Sequence, residues 1–263
     1  MAYKWDAADY AHSSSAQQQW ARELIAKLQL KGCETLLDIG SGDGKITAEI
    51  ASMLTAGSVL GIDNSPDMVE RARAHFPRDV HPNLEFRQVD ATQLPFENDF
   101  DVIFSNATLH WVHDPRPVLQ GISRSLKPHG KVILQMGGQG NAAEVIDAMD
   151  AVRSRPEWVK FFDGFQFPYG FYGAGEYCKW LVEAGLVCSR VELIPKDMAH
   201  PSREAFEGWL RTTWMPYTHR VPENQRQAFI TEIVDRYLEA NPICEDGVVH
   251  VQMVRLEVET KKE

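Results

Sequence analysis

Over the first two thirds of the chain, short apolar runs rich in β-branched residues alternate with stretches of helical periodicity. No other feature constrains the fold as much. The runs fall at Thr35–Ile39, Ser58–Ile62, Leu84–Val89, Asp101–Ser105 and Lys131–Gln135, with helical patterns near Lys45–Leu54, Pro66–Phe76 and Pro117–Leu126 between them. Near-continuous apolar strands separated by helices predict a parallel sheet covered on both faces, with right-handed crossovers. Ahead of the first run, Trp20, Leu24, Ile25 and Leu28 recur at helical spacing within Ala16–Leu30, which predicts a helix packed on the sheet.

The pattern then changes. Gly137–Gly175 is rich in glycine and aromatic residues, including the tract Phe161–Tyr172. Helices are predicted at Gly175–Ala184, Ser202–Trp214 and Pro222–Ala240, and strands at Val187–Ile194 and Val248–Val258. A length of 263 residues suits one large α/β domain. A single domain over 1–263 is therefore expected, with a core at 31–136 and substrate-side cover at 137–175 and 199–243.

Bulk properties exclude several classes. The formal charge of −10 argues against a non-specific phosphate-binding surface, so no nucleic-acid partner is expected. No segment reaches about 18 uninterrupted apolar residues, so no membrane span is expected. Cys33, Cys178, Cys188 and Cys244 form no CxxC pair, which removes the simplest zinc site, and no metal is expected. Scattered cysteines behind an N-terminus without an apolar signal segment suggest reduced thiols in a cytoplasmic protein.

The segment Asp38-Ile39-Gly40-Ser41-Gly42-Asp43-Gly44-Lys45 joins the first strand to the first crossover helix. Glycines there let a ligand approach the main chain at the carboxyl edge of the sheet, where open α/β sheets bind ligands. The glycines alone also fit a tight strand–helix turn. The spacing departs from the dinucleotide fingerprint GxGxxG, because Lys45 stands at its last position. Asp38 and Asp43 would serve a phosphate poorly and suit a ligand with positive charge and donor groups. Asp63 follows the second strand about 20 residues on, where a carboxylate commonly accepts from two ribose hydroxyls. It could instead cap the helix at Pro66, a role open also to Asn64 or Ser65. Asp90 follows the third strand and suits either an adenine amino group or a turn.

The segments Phe100–Val112, with Asn106-Ala107-Thr108-Leu109-His110-Trp111, and Leu126–Leu134, with Lys127-Pro128-His129-Gly130, complete an ordered set of four blocks. Together these resemble the class I S-adenosylmethionine-dependent methyltransferases over roughly residues 31 to 136. The resemblance implies a Rossmann-like three-layer sandwich around a mostly parallel seven-stranded sheet, last strand antiparallel, with helical cover insertions. It implies S-adenosylmethionine as cofactor and S-adenosylhomocysteine as product. Gly40, Ser41 and Gly42 would pass beside the methionine portion and Asp38 would meet its amino group. Asp63 would hold the ribose, Asn64 and Met68 would border the adenine, and Asp90 and Ala91 would meet its edge. Asn106 would lie near the methionine carboxylate. His110 and Trp111 would face the transferred methyl, with His110 either orienting the acceptor or acting as base.

Trp5-Asp6-Ala7-Ala8-Asp9-Tyr10, the Asn106–Val112 run and the late segment containing Phe206–Leu210, Pro216-Tyr217 and Arg226–Phe229 resemble a narrower group. That group is the trans-aconitate methyltransferases and their relatives, including the juvenile hormone acid methyltransferases. It implies Tyr10 at the cofactor and a small carboxylic acid as acceptor, bound by Trp209, Arg211, Trp214 and Tyr217 beside His110 and Trp111. The stretch Arg211-Thr212-Thr213-Trp214-Met215 departs from the group, which offers basic residues there, and favours a larger, more apolar acid. Arg211 and Arg220 remain candidate anchors for one acidic group. Hydroxyl or nitrogen methylation of a small natural product, and more distantly a nicotinamide-dependent oxidoreductase, are the alternatives. A monomer or homodimer is expected.

Overall fold

The computed structural model describes residues 15–263. In chain order the elements are α1 (Ser15–Leu28), β1 (Thr35–Ile39), α2 (Lys45–Met53), β2 (Ser58–Asp63), α3 (Pro66–His75), β3 (Leu84–Gln88), β4 (Phe100–Asn106), α4 (Arg116–Ser125) and β5 (Leu126–Gly137). Then follow α5 (Ala143–Arg153), α6 (Ala174–Glu183), β6 (Val187–His200), α7 (Arg203–Thr213), α8 (Met215–Thr218), α9 (Glu223–Ala240) and β7 (Val249–Lys261). The seven strands form one sheet in the order β3-β2-β1-β4-β5-β7-β6. Strands β1 to β5 pair in parallel, and β7 runs antiparallel to β5 with Gln135 opposite Glu257 and Gly137 opposite Arg255. The expected Rossmann-like sheet is what the chain forms.

Both faces of the sheet are covered, which is why its strands read as apolar runs rather than alternating ones. Leu24 and Leu28 of α1, Ile50 and Ala51 of α2 and Val69 and Ala72 of α3 pack with Leu36, Val59, Phe86, Phe104 and Ile133. On the opposite face, Val118, Leu119 and Ile122 of α4 and Tyr177 and Leu181 of α6 meet Leu37, Ile62, Ile103, Leu134, Met136 and Val258. Helix α3 starts where its sequence dictates. Ser65 accepts from the Met68 amide and Pro66 takes the first position, where a missing N–H is harmless.

Several elements differ from expectation, among them strand β7, which runs on to Lys261 beyond the expected Val258. Strand β5 begins at Leu126, not Lys131, because Leu126 pairs with Phe100 before a register shift. Strand β6 continues to His200. Helix α5 occupies part of the glycine- and aromatic-rich segment, burying Val145, Ala148, Met149 and Val152.

The expectation of reduced thiols fails at one pair, since Cys178 on α6 is disulfide-bonded to Cys188 on β6. Gly185, at φ 78°, reverses the chain between these elements and leaves the two Cα atoms 5.4 Å apart, inside the range a bridge spans. Cys33 and Cys244 are free and exposed. Among the described residues no helix is long and apolar enough to cross a membrane.

The chain divides into two compact units. One contains Gln18–Gln139, Tyr169–Ile194 and Arg255–Glu263, and so most of the sheet. The other contains Gly140–Pro168 and Pro195–Val254, with α5, α7, α8 and α9.

Candidate functional site

The carboxyl edge of the sheet carries the glycine loop between β1 and α2. Gly40, Gly42 and Gly44 have φ of 81°, 54° and 85°, the left-handed region that side chains disfavour. Gly40 N and Ser41 N both donate to Ile62 O, at 2.7 and 2.9 Å, which ties the loop to the end of β2. A Cβ at Gly40 would stand 2.5 Å from Thr108 Cβ, and one at Gly44 would stand 2.6 Å from Phe86 Cζ. At Gly42 a Cβ would meet nothing within 4 Å. Two glycines therefore serve packing, while the third borders open space.

Around that space stand the expected carboxylates. Asp38 is 3% exposed and accepts from the Thr47 hydroxyl at 2.6 Å. Burial raises its pKa to about 7; the Thr47 hydrogen bond opposes the rise and the nearby charge of Asp63 adds to it. Asp63 accepts from Gly42 N at 3.0 Å through Oδ2 and from Ser65 N at 2.9 Å through Oδ1. Burial raises its pKa against the pull of these amides. The helix cap falls to Ser65, so Asp63 is left facing the loop. Asn64 is exposed and Met68 half-buried beside it. Asp90 Oδ1 accepts from Thr92 N and Thr92 Oγ1, both at 2.8 Å, capping the single turn Ala91–Gln93. Ser41 Oγ and Asn106 Oδ1 are buried without a hydrogen-bond partner among the described residues. These are acceptor-rich surroundings, suited to a cationic, hydroxyl-bearing ligand and ill suited to a diphosphate.

Next to the end of β4 lies an aromatic group. His110 Nδ1 accepts from Gly137 N at 3.4 Å, which assigns the proton to Nε2 in the neutral ring. Burial, with the charge of Arg255, lowers the His110 pKa to about 3. The Tyr169 and Phe171 rings lie 5.7 and 6.0 Å from His110 and stack on one another at 5.3 Å. Trp111 meets Tyr169 edge-on at 4.7 Å. The backbone fixes this arrangement, since Gly170 N donates to His110 O at 2.8 Å.

The remaining acceptor candidates belong to the other unit. Trp209, Trp214 and Tyr217 are buried there, each ring about 6 Å from the next, 5.9 Å for the first pair and 6.0 Å for the second. Tyr217 OH donates to Asp150 Oδ1 at 3.4 Å. Arg211 donates to Gln227 at 3.2 Å. The Arg220 guanidinium lies 5.4 Å from the Phe165 ring centre. Tyr10 lies outside the described residues.

Sequence reading missed three contributors, Thr47, Thr108 and Arg255. Thr47 holds Asp38, and Thr108 Oγ1 donates to Asn106 O at 3.1 Å while filling the space Gly40 vacates. Thr47 lay in plain view two residues into the crossover helix; Thr108 and Arg255 needed the strand register.

Comparison with known proteins agrees with this geometry. The profile of a family described as a methyltransferase domain matches residues 37–134. An uncharacterized methyltransferase of Schizosaccharomyces pombe, C70.08c, is 32% identical over 98% of both chains. A trans-aconitate 2-methyltransferase of Shigella dysenteriae is 27% identical over 96% of both. Among solved structures, the YcgJ protein of Bacillus subtilis superposes with a TM-score of 0.65 at 18% identity, covering 94% of this chain and 99% of its own.

Proposed function

Because this chain belongs to the class I S-adenosylmethionine-dependent methyltransferases, we propose that its acceptor is a small carboxylic acid, methylated on a carboxylate oxygen. The single observation that carries this choice is the state of His110. A hydroxyl acceptor needs a base whose pKa lies near working pH. His110 has a pKa pushed down to about 3, and its Nδ1 is occupied by Gly137 N–H, so it offers a hydrogen-bond donor and little basicity. A carboxylate is already ionised and needs no base.

The residues present fit the cofactor. Asp38 suits its ammonium, Asp63 its ribose diol, and the open face of Gly42 the approach of its backbone-hugging portion. When bound, the cofactor supplies a methyl group on a sulfonium, which a carboxylate oxygen can displace to leave an ester and a thioether without moving a proton. The protein's share is alignment and exclusion of water. His110, Trp111, Tyr169 and Phe171 present an aromatic wall for that purpose. The relative named for trans-aconitate supports the acid class.

Incubating the enzyme with S-adenosylmethionine and matched sets of carboxylic acids, phenols and amines tests the reading. S-adenosylhomocysteine release with formation of a base-labile methyl ester is expected. Turnover of phenols or amines with none of the acids would overturn it.

A proton linkage follows from Asp38. Its carboxyl is protonated in the free protein below about pH 7 and must ionise to hold an ammonium. S-adenosylhomocysteine affinity is therefore expected to rise about tenfold per pH unit up to about pH 7 and then level off. Asp38→Asn should flatten the profile. Calorimetry between pH 5.5 and 8.5 checks both.

A further inference from the structure

A buried amide near this edge has one hydrogen-bonding atom unmatched. Gln135, two residues before the end of β5, is 1% exposed. Its Nε2 donates to Glu257 Oε2 at 3.2 Å, across the β5–β7 pair. A carboxylate only accepts, so this contact fixes the amide, with Nε2 facing Glu257 and Oε1 facing away. Lys27 of α1 and Arg190 of β6 hold Glu257 in turn, which braces the amide from behind. Gln135 Oε1 is buried without a hydrogen-bond partner among the described residues. A buried acceptor left unmatched is costly, so its partner is worth seeking in a ligand.

The same shortfall occurs on the adjacent strand. Asn106 on β4 is the register partner of Gln135, and its Oδ1 is also buried and unmatched. Side chains alternate between the faces of a sheet, so both residues point to the α1 face, which Phe104 and Ile133 occupy two residues earlier. Asp38 points there too, because Leu36, two residues before it, packs on that face. Thr47 takes Oδ2 of Asp38 and leaves Oδ1. Asp38 lies level with Phe104, and β1, β4 and β5 are consecutive in the sheet. Strand spacing and rise then put the Asp38 and Gln135 Cα atoms about 12 Å apart. Two side chains, each hydrogen-bonded to one shared atom at about 2.9 Å, can close that gap. All of these residues belong to the unit that carries most of the sheet.

We infer that Gln135 Oε1 and Asn106 Oδ1 join Asp38 in receiving an ammonium group, and that this is the ammonium of S-adenosylmethionine. An ammonium carries three N–H donors and no acceptor, which matches three converging acceptor oxygens. A hydroxyl donates once and would leave two of them unmatched, and a carboxylate would only add acceptors. Gln135, braced by Glu257, thus sets where the amino-acid end of the cofactor stops along the sheet. The side chain of Asn106 is given to the ammonium, although the family resemblance set this residue near the carboxylate on the same carbon. This inference rests on the cofactor reading given above and adds Gln135 to it.

The test is calorimetric titration of the intact protein at pH 8 with two ligands. S-adenosylhomocysteine keeps the ammonium, whereas 5′-methylthioadenosine shares the nucleoside and lacks the amino-acid end. Gln135→Met keeps the bulk and removes the acceptor. It is expected to weaken S-adenosylhomocysteine binding tenfold or more and 5′-methylthioadenosine binding less than twofold. Asn106→Asp reads the sign of the bound charge, and S-adenosylhomocysteine affinity should be unchanged or higher. A tenfold loss in Asn106→Asp would overturn the inference and assign the pair to the cofactor's carboxylate. So would a Gln135→Met effect that is absent, or equal for the two ligands, as expected if the pair holds only a bridging water. Should Gln135→Met fail to fold, Asn106→Leu takes its place with the same contrast expected. Wild type that binds neither ligand would instead refute the cofactor reading, so the two failures are separable.

Discussion

Gly40→Ala is expected to lower the unfolding free energy by about 2–5 kcal/mol. Two effects add. A non-glycine residue held at φ 81° costs roughly 1–2 kcal/mol. Forcing a methyl group into a filled site costs typically about 1–3 kcal/mol more. The clash is not with a flexible tip: the new Cβ would lie 2.5 Å from Thr108 Cβ, so rotating the threonine cannot relieve it. Gly42→Ala is the control. It shares the positive φ of 54° but would meet no protein atom within 4 Å, so only the conformational cost of about 1 kcal/mol remains. Its methyl would protrude where the ligand is proposed to lie, so Gly42→Ala should lose cofactor affinity out of proportion to its stability. Urea unfolding paired with calorimetry on both variants decides the matter. Equal destabilisation by the two substitutions would show that packing against Thr108 contributes nothing.

Asp63→Ala should weaken S-adenosylmethionine binding by about 1–3 kcal/mol, the range for losing charge-assisted hydrogen bonds. The carboxylate has two tasks. It accepts from Gly42 N and Ser65 N, holding the glycine loop against the end of β2, and it is proposed to take the ribose diol. Asp63→Asn separates them. The amide side chain keeps one acceptor oxygen for the loop, so its effect on stability should be smaller than alanine's. Its effect on affinity should stay large, because an amide cannot accept from two hydroxyls and two amides together. Calorimetric titration at pH 8, where Asp38 is ionised, measures the difference. Affinity unchanged in Asp63→Ala would remove this residue from the site.

Much of this was legible before any coordinates. The five core strands could be placed because burial on both faces leaves a largely apolar run, as with Leu36, Leu37 and Ile39 in β1. The carboxylates Asp38, Asp63 and Asp90 could be placed because each lies within two residues of the carboxyl end of such a run. Helix α5 was hidden although Val145, Ala148, Met149 and Val152 have helical spacing, because flanking glycines and aromatics masked its period. The disulfide was missed for a different reason. Ten residues of separation along the chain say nothing until Gly185 turns α6 back onto β6.

Sequence alone determined the order of strands and helices, the glycines of the loop and the acidic character of the ligand edge. These depend on periodicity and on contacts between residues close in the chain. Only the tertiary structure decided that Gly40 makes room for Thr108, that His110 Nδ1 accepts from Gly137 N, and that Arg255 stands opposite Gly137. Each of those depends on two segments far apart in the chain, brought together by strand register, and register is set by which faces the packed core can bury.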